Sequence, residues 1–125
     1  MKILIVEDDE VQRAFLRKVL EKYYSAEVTE AKNGVEGLRS LKTKQPDLVI
    51  LDLMMPLMNG HNMLEKMRDD TSTQRIPVII LSINKDKEII EKVAGFGVVD
   101  YLLKPLTVHQ INERLTKFVN QASLN

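Results

Sequence analysis

The chain has 125 residues, 44% of them hydrophobic, with 18 acidic and 18 basic side chains and no cysteine. That length supplies one core and is short for two, so a single domain over residues 1–125 is predicted. Zero net charge gives no field to draw the domain to a nucleic-acid backbone or an anionic membrane, and the lack of cysteine excludes disulfides, thiolate catalysis and cysteine-ligated zinc or iron–sulfur sites.

Lys2 to Val6 is the first strand candidate, and it runs into Glu7-Asp8-Asp9 too soon to be a signal-peptide core. No apolar run approaches transmembrane length, so a cytoplasmic location is expected. Val11, Phe15 and Val19 recur at four-residue spacing and predict an amphipathic helix. Ala26 to Glu30 alternates apolar and polar, which suits a strand nearer an edge. Asn33 with Glu36 resembles a capping box opening the second helix. Pro46 and Pro77 sit just before the unbroken apolar strands Leu48 to Leu51 and Val78 to Leu81, and Val99 to Leu103 gives the fifth strand. Thr107 with Gln110 reads as a second capping box, starting a last helix whose stripe is Val108, Ile111, Leu115 and Phe118. Alternating strands and helices with right-handed crossovers give an α/β doubly wound parallel sheet with five helices.

Ligands of such sheets sit beyond the carboxyl ends of the strands. There the first strand delivers Glu7-Asp8-Asp9, the third Asp52, the fourth Ser82 and the fifth Lys104-Pro105. Taken singly, each has an ordinary structural use: an acidic helix start, a turn cap, a loop hydroxyl, a surface ammonium. Together they are informative, because clustered carboxylates destabilise a fold unless something positive neutralises them. Lys104 supplies one charge, and a hard divalent cation such as Mg2+ suits the rest. His61 and His109 are expected to be exposed, the methionines to pack core and loops, and Lys85, Lys87 and Lys92 to form a solvated helix face.

These segments resemble the receiver domains of two-component response regulators over essentially the whole chain. Ile3 to Asp9 is similar to the acidic opening, Pro46 to Pro56 with Gly60 to the phosphoacceptor segment, and Asp100 to Pro105 to the closing lysine-proline segment. The resemblance implies a flavodoxin-like sheet of order 2-1-3-4-5 and a signalling switch rather than a classical enzyme. Asp52 would take a phosphoryl group from a sensor histidine kinase or phosphotransfer protein, with Mg2+, or Mn2+ in its place, held by Glu7 through water, Asp8, Asp52 and the Met54 carbonyl. Ser82 and Lys104 would hold the phosphoryl oxygens, Tyr101 would turn inward with Ser82, and Met54, Ile83 and Asn84 would tune hydrolysis. Asp9 then starts the first helix, Pro105 follows a cis peptide bond, and Gly60 is structural.

Ile83 departs from the family, which favours a small residue there, and it is expected either to crowd the entrance or to point away. The implied output surface is the fourth helix, fifth strand and fifth helix, acting on a downstream target or a fused effector after Asn125. Asp100 and Arg114 are candidates to pair across a phosphorylation-dependent homodimer, or to be solvated. Hydrolases of the haloacid-dehalogenase type need an Asp-x-Asp after the first strand, and flavin or nucleotide folds need a Gly-rich loop there. Neither pattern is present.

Overall fold

A computed structural model describes residues 1–83 and 87–124, with side chains as far as Ala122. The elements alternate as expected: β1 (Lys2–Val6), α1 (Glu10–Tyr24), β2 (Glu27–Ala31), α2 (Gly34–Lys44), β3 (Leu48–Asp52), α3 (Gly60–Asp69), β4 (Val78–Ser82), α4 (Lys87–Ala94), β5 (Asp100–Leu103) and α5 (Val108–Leu124). All neighbouring strands are parallel, in the order β2-β1-β3-β4-β5. This is the flavodoxin-like order, with β2 on an edge.

The unbroken apolar runs are explained by two cores, one on each face of the sheet. Successive side chains of a strand point to opposite faces. Ile3, Ile5, Leu48, Ile50, Ile79 and Leu81 therefore face α1 and α5, meeting Leu16, Leu20, Ile111 and Leu115. Leu4, Val6, Val49, Leu51, Val78 and Ile80 face the other way, onto Leu41 of α2, Met63, Leu64 and Met67 of α3, and Val93 of α4.

The helix stripes differ from the sequence reading at their starts. Val11 is 78% exposed and Phe15 only half-buried, while Leu16, Val19 and Leu20 make the contact with the sheet. Four-residue spacing drifts by roughly 40° per step around a helix of 3.6 residues per turn, so the chosen row leaves the buried face. Val108 is likewise exposed, and Ile111 and Leu115 carry the α5 core.

Both caps form, but neither as a reciprocal box. Asn33 and Thr107 accept the N–H of Glu36 and Gln110, at 2.9 and 3.1 Å. The Glu36 carboxylate instead accepts from the Lys32 N–H, and the Gln110 amide clasps the backbone N–H and C=O of Leu103. Asp9 caps α1, accepting from the N–H groups of Val11 and Gln12. The Lys104–Pro105 peptide is cis. Two further expectations change: His61 is half-buried with its ring edge-on to Phe96, and Arg114 lies 3.6 Å from Asp100 within the same chain. His109 is fully exposed as read.

Candidate functional site

Asp52 and Ser82 are the last residues of β3 and β4, one position beyond the strand ends read from sequence, so both are fixed by the sheet itself. Next to them the Leu53 N–H donates to Leu81 O and the Lys104 N–H to Ser82 O, carrying the ladder one step past the apolar core. The sheet can close this tightly because Gly60 starts α3 against the end of β3. A Cβ on Gly60 would lie 2.2 Å from the Asp52 carbonyl oxygen and 2.8 Å from Leu53 Cα. Only glycine allows that approach.

Glu7, Asp52 and Ser82 are nearly sealed from solvent, at 1%, 2% and 3% exposure. The Lys104 ammonium reaches in from the end of β5 and bridges the carboxylates, 3.1 Å from Asp52 Oδ2 and 3.1 Å from Glu7 Oε2. The other oxygen of each takes a backbone N–H, Met54 to Asp52 Oδ1 and Asp9 to Glu7 Oε1. Asp8, exposed at the bend after β1, completes a group of three carboxylates whose oxygens lie within 4.8 Å of one another.

One ammonium does not balance this charge. Burial, and then the Asp52 charge, push the Glu7 carboxyl up to about 7 despite the Asp9 N–H and Lys104. Burial would lower Lys104, but Asp52 and then Glu7 outweigh it and hold the ammonium above its ordinary value. A buried, proton-seeking carboxylate beside two others, all with oxygen donors, fits a small hard divalent cation. The buried Ser82 Oγ has no hydrogen-bond partner among the described residues. A buried hydroxyl in that condition fits a site made for an additional acceptor.

Of the remaining predicted residues, Met54 and Ile83 come just after the strand ends that form this pocket. They are 59% and 42% exposed, Tyr101 is half-buried on β5 with its hydroxyl raised by burial and by Asp100, and Asn84 lies outside the described residues. The sequence reading missed Arg13, which is buried and donates to the Glu7 carbonyl and to Glu30. A signal was present: Arg13 and Arg17 stand one helical turn apart, and Glu30 interrupts the apolar pattern of β2.

The sequence profile of the family described as the response regulator receiver domain matches residues 3–116. The sensor histidine kinase TmoS of Ectopseudomonas mendocina is 35% identical over 119 residues, which is 95% of this chain but 12% of that protein's length. Chemotaxis protein CheY-3 of Vibrio cholerae is 33% identical over 117 residues, covering 94% of this chain and 90% of that protein. Among solved structures, the receiver domain of a sensor histidine kinase from Pseudomonas aeruginosa superimposes with a TM-score of 0.83 at 25% identity, covering 95% of this chain and 97% of that one. A magnesium ion is coordinated in the active-site cleft of that protein.

Proposed function

The chain belongs to the response regulator receiver domain family, as a phosphorelay signalling switch, and from that premise we propose that Asp52 is its phosphoacceptor. The observation that carries this reading is the Lys104 bridge, which holds Asp52 and Glu7 at 3.1 Å each beside the Ser82 hydroxyl, unpartnered among the described residues. An Asp52 carboxylate oxygen attacks the phosphorus of a phosphohistidine on a partner kinase or phosphotransfer protein. The new O–P bond forms as the P–N bond breaks, the histidine leaving as imidazole once its nitrogen is protonated. Mg2+ or Mn2+, held by Asp8, Asp52 and the Met54 carbonyl with Glu7 through water, would supply charge compensation for the transferring oxygens.

The protein's own groups do the rest. Lys104 is already within reach of Asp52 and pairs with a phosphoryl oxygen, while Ser82 donates its hydroxyl to another. An added charge of roughly −1.5 to −2 at this position draws the end of β4 inward. Tyr101, half-buried on the neighbouring strand, follows, and the α4-β5-α5 face changes for a downstream target or effector domain. If Arg114 and Asp100 pair across a homodimer of that face, they exchange their intrachain contact at 3.6 Å for the same contact between copies. Attack of water in line with the P–O bond resets the switch, at a rate that Met54 and Asn84 tune.

Intact-mass measurement after treatment with acetyl phosphate or phosphoramidate and Mg2+ tests the reading. The wild type should gain one phosphoryl group and Asp52→Ala none; labelling of both proteins, or of neither, would overturn it.

A further inference from the structure

Asp8 is exposed at a bend, so its direction is set by the backbone on either side of it. The Glu7 N–H donates to Ala31 O at 3.1 Å, and the Asp9 N–H to Glu7 Oε1 at 3.0 Å. The third tie comes from outside the loop. Arg13 donates Nη1 to the Glu7 carbonyl at 2.8 Å and Nε to Glu30 Oε1 at 2.9 Å, with only 7% of the residue exposed. The second Glu30 oxygen is held by Arg17 at 2.6 Å. Glu30 belongs to β2, where it stands opposite Ile5 of β1.

We infer that Arg13 is a positioning residue for the acidic loop: through the Glu7 carbonyl it sets the peptide plane leading to Asp8, and thereby the affinity of the site for a divalent cation. The inference rests on the cation-assisted phosphoacceptor reading above. A peptide unit is planar, so pinning the Glu7 oxygen fixes the orientation in which the chain enters Asp8. The planar guanidinium donates in two directions at once, to the loop and to Glu30, and thus references the loop to the sheet. Lysine offers a point charge without that fork. Partners that orient metal ligands from outside typically change metal affinity about 10- to 100-fold when removed.

A role confined to stability would lower the unfolding midpoint and leave cation affinity of the folded protein unchanged. The discriminating measurement is Mg2+ affinity, by calorimetry or by amide NMR titration, on wild type, Arg13→Met and Arg13→Lys under conditions where urea curves show each folded. Arg13→Met should bind Mg2+ about 10-fold more weakly and Arg13→Lys about 3-fold or more, with wild-type binding unimpaired. If Arg13→Met does not fold, Arg13→Lys carries the test. A folded variant with wild-type affinity overturns the positioning role alone. Wild type that fails to bind Mg2+ overturns it together with the cation site on which it depends.

Discussion

Lys104 faces two buried carboxylates with one positive charge, and each small group around it has a defined task. Gly60 has the least tolerance. Its Cβ position is occupied by the backbone of Asp52 and Leu53, which cannot swing aside as a side chain would. Gly60→Ala should therefore cost about 3 kcal/mol in urea unfolding, at the upper end of ordinary overpacking, and it should impair labelling of whatever protein remains folded. Ile83 tests crowding at the rim. At 42% exposure it is a β-branched side chain beside the entrance, and Ile83→Ala should raise either the rate of labelling by a small donor or the rate of decay by about 3-fold, a barrier change under about 1 kcal/mol. Unchanged labelling and decay would mean that it points away. The half-buried His61, edge-on to Phe96, lies in the packing between α3 and the turn before β5.

At the scale of elements, α1 does more than cover the sheet. Its cap, Asp9, follows directly on the acidic pair, so the residue that starts the helix also ends the functional loop. Asp9→Ala leaves the N–H groups of Val11 and Gln12 without their side-chain acceptor and should cost about 1 kcal/mol. Circular dichroism with urea titration would read that loss, and a variant as stable as wild type would show that water replaces the cap. From the same face of the sheet, α5 returns to the end of β5 through Gln110, whose amide clasps both backbone groups of Leu103, the residue before Lys104. These two helices thus brace the first and last of the strand ends that carry the charges.

For the molecule as a whole, the acidic pocket links stability to pH and to cations. The Glu7 carboxyl titrates at about 7 in the fold against an ordinary value of 4.5, so the native state favours its neutral form. Its contribution is fully present below the ordinary value and is lost as pH rises to about 7, a decline of about 3 kcal/mol for a buried group. Glu30 has the opposite sign. Burial raises it, but Arg17 and Arg13 outweigh burial and hold it below the ordinary value, so its contribution is lost as pH falls. Without divalent cation, urea stability should therefore fall between about pH 5 and about pH 8; with saturating Mg2+, which favours the ionised pocket, the fall should shrink. Parallel pH profiles with and without Mg2+ would count against a cation in this pocket.

The order of elements, the placement of Glu7, Asp8, Asp52, Ser82 and Lys104 at strand ends, and the helix start at Asp9 were legible because they depend on local alternation and on which residue follows each apolar run. Strand ends shifted by one residue because Asp52 and Ser82 are buried by neighbouring strands, a property of pairing that no single segment carries. The same holds for Val11, whose exposure depends on where α1 meets the rim of the sheet, and for Asp100 and Arg114, which the fold brings together within one chain. Arg13 and Glu30 illustrate the division most clearly. Composition shows two charged residues 17 positions apart, and only the parallel pairing of β1 with β2 brings them into contact beneath the Glu7 carbonyl. Sequence determined which groups were available at the mouth of the sheet; tertiary structure decided their burial and pairing, and hence the charge state of Glu7, because desolvation and Coulomb energy depend on distances through space.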